Sequence, residues 1–201
     1  GVISFHLAAT ELKLASQSSF PYQRVNTPTD YDSVGFPKSL RLDGTDDFYT
    51  CGGGGSTTGF YYADVIQLAV NATHGILQDA TSNKGYILLV TTGTLKLKMF
   101  AGNGAAYTAF ESATSLVIGQ KHFVEFYDDG VNLGLVIDGG TPTTVPRPAV
   151  QGGLPTMQLF SVGGVPKFNG QVTEPIYRAG PPPSAYERGV IRAYQMQKAG
   201  L

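Results

Sequence analysis

Residues 39–49 read SLRLDGTDDFY, and the fold class follows from this run. Leu40 and Leu42 alternate with Ser39 and Arg41, the period of a half-buried strand. Asp43-Gly44 then turns the backbone, and Phe48 resumes the apolar face.

The same grammar continues to the right. Phe60, Tyr62, Ile66, Leu68 and Val70 share one face, while Tyr61, Ala63, Val65 and Ala69 on the other are also apolar. A strand covered on both faces is central to its sheet. Short strands follow at Gly75–Gln78, Tyr86–Val90 and Leu95–Phe100, separated by turns at Ser82-Asn83-Lys84-Gly85, Thr92-Gly93 and Gly102-Asn103-Gly104. Leu95, Leu97 and Met99 alternate with Lys96, Lys98 and Phe100, which predicts one wet face. The strongest hairpin is 122–138: His122, Val124 and Phe126 share a face, Asp128-Asp129-Gly130 turns, and Leu133, Leu135 and Ile137 return. Residues 141–156 read as a loop, and Met157–Val162 and Phe168–Tyr177 as two further strands.

The period changes at the end. Pro181-Pro182-Pro183 stops the last strand, Ser184 with Glu187 forms a capping box, and Gly200 suits the C′ position. Tyr186, Val190, Ile191 and Tyr194 recur at helical spacing, so the expected helix packs Tyr186, Val190 and Tyr194 on the sandwich. To the left, Ile3 to Leu14 are expected to supply one or two strands, and Ser16 to Pro37 a turn-rich arm that either straps across one sheet or meets a partner. The domain reading is therefore an N-terminal arm over 1–38, a sandwich over 39–183 and a packed helix over 184–201, all one domain. The fold class is all-β: a two-sheet antiparallel β-sandwich with one C-terminal α-helix.

Composition narrows the function. The 201 residues carry 26 Gly, 12 Pro, 14% charged residues and a net charge of −1. Many short strands joined by tight turns fit that balance. The sparse charge also fits a protein that spends surface on neighbours or on self-association. No basic footprint for nucleic acid is visible. No apolar stretch approaches a membrane span, and the opening residues show no secretory n-region, h-region and cleavage site. Cys51, the only cysteine, cannot form an internal disulfide and reads as passive. Asn71-Ala72-Thr73 is a formal glycosylation sequon. The glycine run after Cys51 lacks a phosphate-loop pattern and reads as a mobile loop tip.

Three separated segments resemble the laminin-G-like family of concanavalin A-like jelly rolls: SLRLDGTDDFY itself, HFVEFYDDGVNLGLVIDGG at 122–140, and SVGGVPKFNGQVTEPIYRAGPPPSAYERGVIRAYQ from Ser161 to Gln195. The resemblance implies the sandwich fold and a binding role. Family members usually carry tryptophan in the second long strand and before the hairpin histidine. Here Tyr61 or Tyr62 and Lys121 occupy those neighbourhoods, which removes the usual sugar-stacking platform. Stand-alone copies with short helical tails look similar to bacteriophage virion proteins, serving as tail adhesins or capsid decoration proteins.

Candidate chemistry is thin. Glucanases of this fold place acidic residues at i, i+2 and i+4 on one strand; Glu125, Asp128 and Asp129 have the wrong spacing. His6, His74 and His122 are scattered, and no nucleophile elbow appears. No catalytic residue and no cofactor is assigned, and the chain is read as a non-enzyme. Asp43, Asp46 and Asp47 are expected to hold their turn by accepting backbone N–H bonds, with a structural calcium ion as the alternative. Tyr22, Tyr31 and Tyr107, in or beside loops, are the expected contact residues. The expected function is a virion surface module, a decoration protein or tail adhesin, whose partners are other virion proteins or a surface glycan, with no nucleic acid and no membrane insertion. The alternatives are an extracellular lectin-like domain of a cell, or a polysaccharide hydrolase or lyase of the same fold.

Overall fold

The computed structural model describes residues 39–52, 54–150, 152–163 and 167–201. The N-terminal arm, with Tyr22, Tyr31 and His6, lies outside the described residues. In chain order the elements are β1 (Leu40–Asp43), β2 (Tyr49–Gly52), β3 (Phe60–Leu68), β4 (His74–Gln78), β5 (Lys84–Val90), β6 (Lys96–Asn103), β7 (Tyr107–Ser115), β8 (Lys121–Asp128), β9 (Asn132–Ile137), β10 (Thr143–Pro146), β11 (Thr156–Leu159), β12 (Asn169–Val172), β13 (Ile176–Ala179) and α1 (Ala185–Ala199).

The strands form two antiparallel sheets. One runs β1-β12-β3-β8-β9-β10, with β13 also on β3; the other runs β2-β11-β4-β5-β6-β7. The fold is a β-sandwich jelly roll closed by a C-terminal helix. Alternation explains the core: Phe60, Tyr62, Ile66 and Leu68 from β3 meet Tyr86, Leu88, Val90, Leu97 and Met99 from the facing sheet. Each such side chain contributes roughly 1.5–3 kcal/mol by leaving water. The odd residues of β3 (Tyr61, Ala63 and Val65) join Phe123, Tyr127 and Val136 in a second cluster on the sheet's outer face, capped by Ala199. That second cover is why β3 reads as apolar on both faces. Among the described residues no helix is long and apolar enough to cross a membrane.

Several expectations are corrected. In the opening run only Leu42 is buried; Leu40 and Phe48 are exposed, and Tyr49 packs on the core instead, its ring edge-on to Phe160 at 6.0 Å. Val70 is exposed. The glycine run is anchored: Gly54 N donates to Pro155 O at 3.1 Å and Gly55 N to Asp79 Oδ2 at 2.7 Å. Gly54 sits so close to the Leu154 carbonyl that a Cβ would overlap it. Within the expected loop 141–156, Thr143–Pro146 is a strand on β9; four residues ending in proline suit an edge. Tyr107, beside the turn at 104–106 as expected, is the first residue of β7.

The expected strand Phe168–Tyr177 is two strands on the same side of β3, interrupted at Thr173-Glu174-Pro175. Asp64, buried on β3, fills the gap: its Oδ1 accepts from Thr173 N at 3.2 Å and lies 2.8 Å from Thr173 Oγ1. Pro175 has no N–H to offer a ladder.

The helix begins and ends as its sequence says, with the reciprocal Ser184–Glu187 capping box and Gly200 at φ 74°. Its rotation differs. Tyr186, Val190 and Tyr194 are 81%, 52% and 43% exposed, and the packed face is Arg188, Ile191, Gln195, Met196 and Ala199. Polar anchors set this rotation. Arg188 Nη1 donates to Glu125 Oε1 at 2.8 Å with its guanidinium 4.6 Å over the Tyr127 ring, Gln195 bonds Thr173 and Glu174, and Lys121 donates to Ala199 O.

Candidate binding surfaces

The outer face of the six-stranded sheet follows from strand alternation. With Tyr86, Leu88, Leu97, Met99 and Ala101 turned inward, Ile87 and Leu89 on β5 and Lys98 and Phe100 on β6 turn out. Register then places Ile87, Phe100 and Ala109 in one row and Leu89, Lys98 and Glu111 in the next. Tyr107 lies diagonal to Phe100, and the two rings meet edge to face at 6.2 Å and 86°. Lys98 Nζ sits 5.3 Å above the Phe100 ring and 3.2 Å from Glu111 Oε1. An apolar, aromatic strip is thus bordered by an ion pair. Helix α1 packs on β3 and β8 of the other sheet, and among the described residues no helix lies on this one.

Tyr107 is the one expected contact residue within the described chain, and its partner Phe100 is the residue that the reading passed over. The signal was present: Phe100 interrupts the lysine face of β6. Its neighbour Tyr107 belongs to β7, whose weak alternation hid that strand.

At the acidic turn, ligand oxygens of Asp43, Asp46 and Asp47 lie within 4.8 Å of one another. Asp47 Oδ2 accepts from Asp43 N at 2.9 Å and Asp43 Oδ1 from Thr45 N at 2.6 Å. These are the residues that could hold a cation, supplying three of the six or more oxygens calcium takes.

Among the described residues, the buried carboxylates and both histidines are occupied within the fold. Arg147 Nε lies 2.7 Å from each oxygen of the fully buried Asp128, which also accepts from Tyr86 Oη and from Gly130 N. Asp79, whose carboxyl burial pushes up, accepts from Gly55 N and, at 2.6 Å, from Tyr86 N. Glu125 pairs with Arg188. His122 Nε2 accepts from Val117 N at 3.0 Å, so Nδ1–H donates to Asp138 Oδ2 at 2.8 Å. His74 Nδ1 accepts from Asn169 N at 3.1 Å, so Nε2–H donates to Val70 O at 3.0 Å. Burial raises the Cys51 thiol pKa, which disfavours the nucleophilic thiolate.

No family model matches the chain, and no curated sequence is similar to it. Solved structures share its fold. The domain pair LG4-5 of mouse laminin alpha1 superposes with TM-score 0.56 at 12% identity, over 69% of this chain and 40% of that one. A heptameric SAP-like pentraxin from Limulus polyphemus gives 0.56 at 14% identity, over 72% and 77%. The CBM40 module of the Ruminococcus gnavus IT-sialidase, solved with alpha2,3 sialyllactose, gives 0.57 at 12% identity, over 76% and 96%. The match spans less than half of the laminin chain. At these identities the likeness is one of architecture: the chain has the concanavalin-like jelly-roll fold of laminin G, pentraxin and carbohydrate-binding modules.

Proposed function

We propose that this chain is a non-enzymatic binding module that meets its target through the outer face of the six-stranded sheet. The observation that carries the reading is the Phe100–Tyr107 pair beside Ile87 and Leu89, on the sheet that the helix leaves uncovered. Aromatic faces stack on sugar rings and anchor protein contacts alike. The lectin-like fold, shared with a module solved on sialyllactose, supports a glycan as target.

The finer reading places the module on the surface of a bacteriophage particle, as tail adhesin or capsid decoration protein. Its support is the family-like motifs with the short helical tail and the low charge of 14%. Two measurements on one preparation test it: binding to a glycan array and co-sedimentation with assembled capsids. Sugar binding that is lost in Phe100→Ala and Tyr107→Ala supports the adhesin, and capsid binding lost in the same variants supports the decoration protein. Binding that both variants retain overturns the assignment of this face. Release of reducing ends from a polysaccharide overturns the non-enzymatic role.

A further inference from the structure

A cavity of about 130 Å³ opens between the first half of α1 and the outer face of the seven-stranded sheet. It lies on the opposite side of the sandwich from the aromatic strip. Its walls include Glu125, Val136, Gly140, Arg188, Gly189 and Arg192. One water needs only about 10–15 Å³ of such space, so the cavity admits a small polar group with the atoms that carry it.

Its charge is unbalanced, with two guanidinium groups facing one carboxylate. Arg188 spends one nitrogen on Glu125 at 2.8 Å and lays its plane over Tyr127. Arg192 is half-buried, and among the described residues it makes no hydrogen bond or ion pair. Its guanidinium is held against Gly139, where any Cβ would overlap it. A buried hydroxyl under the helix also lacks a partner. Tyr61 is fully buried beneath the helix, and its hydroxyl is the one buried side-chain polar atom among the described residues with no partner. The charges of Glu125, Arg188 and Arg192 all act on that hydroxyl. A guanidinium that faces the cavity without a protein partner is open to an anionic acceptor.

We propose that this cavity binds a carboxylate group of an acidic small ligand, received by Arg192 and the free nitrogens of Arg188. A planar carboxylate matches the fork of a guanidinium in two parallel N–H···O bonds. Glu125 holds Arg188 in place and turns away a ligand that carries more than one negative charge at the cavity mouth. This site is independent of the aromatic strip, and failure of either assignment leaves the other standing.

The test is titration of the whole chain with sodium acetate, sodium glucuronate, glucose and sodium sulfate, followed by amide NMR. Saturable shifts centred on Gly140 and Gly189 with acetate are expected, and none with glucose. Arg192→Gln is expected to weaken acetate about tenfold or more at unchanged melting temperature, and Arg192→Lys to recover only part of the loss. Glucuronate binding with the same shifts supports a uronic-acid-type source, and acetate binding without it supports a smaller acid; both uphold the site. Absence of saturation, binding indifferent to Arg192→Gln, or sulfate binding in preference to acetate overturns it.

Discussion

The Asp64 carboxyl lies 2.8 Å from the Thr173 hydroxyl at the point where the strand beside β3 breaks. Thr173 Oγ1 is also 2.9 Å from Gln195 Oε1 on the helix and accepts from Val65 N at 3.3 Å. One hydroxyl proton cannot serve both Asp64 and Gln195. The set is satisfied when Asp64 is protonated: Asp64 donates to Thr173, Thr173 donates to Gln195, and Gln195 donates to Glu174 O. Burial pushes the Asp64 pKa up to about 7, against the hydrogen bonds from Thr173 that lower it.

A carboxyl whose pKa is higher folded than unfolded holds its proton more tightly in the native state. Asp64 therefore stabilises the fold below about pH 4, and that contribution is lost as pH rises from about 4 to 7, by up to about 4 kcal/mol. Asp64→Asn keeps the acceptor and cannot ionise. Urea midpoints measured from pH 4 to 8 are expected to fall for the native chain and to fall less for Asp64→Asn. Parallel curves would show that Asp64 does not titrate there.

Arg147 and Asp128 form an ion pair with Asp128 wholly out of water. Arg147→Met leaves that charge without its countercharge and is expected to cost about 3–5 kcal/mol. Tyr86→Phe removes one of several acceptor bonds and is expected to cost about 1–3 kcal/mol. The double variant Asp128→Asn/Arg147→Met should recover part of the first loss. Chemical denaturation orders the three, and a near-neutral Arg147→Met would mean that Asp128 is reached by water.

Two helix glycines should respond with opposite sign. Gly189 sits mid-helix with open space where a Cβ would project, so Gly189→Ala is expected to stabilise by about 1 kcal/mol. Gly200 ends the helix at φ 74°, so Gly200→Ala is expected to destabilise by about the same amount. Thermal melts distinguish them, and equal signs would contradict the helix end described above.

The rotation of α1 is tested by comparing its two faces. Tyr186→Ser is expected to change stability by no more than about 0.5 kcal/mol, and Ile191→Ala to cost roughly 1–3 kcal/mol. The reverse ranking would restore the rotation read from apolar spacing alone.

That rotation marks the boundary between what was legible and what was not. Capping residues act on their own backbone, so Ser184, Glu187 and Gly200 declare both helix ends in one dimension. Alternation is equally local: β3, β8 and β9 and their inward residues could be read from period two, as could the turn at Asp128-Asp129-Gly130. Apolar spacing named Tyr186, Val190 and Tyr194 as the packed face because periodicity records hydrophobicity, whereas Glu125, Thr173 and Lys121 hold the helix by polar bonds that only proximity creates. The break at Thr173 was hidden for the same reason, since its compensating carboxyl comes from Asp64, more than a hundred residues earlier.

The chain's own order thus determined the class of fold, the two-faced central strand and the helix with its caps, because these rest on neighbours within a few residues. The tertiary structure alone decided which surfaces face outward together. Phe100 meets Tyr107, and Arg188 meets Glu125 below Arg192, through register and helix rotation. Those depend on the summed packing of distant segments, and no short stretch of sequence carries that sum.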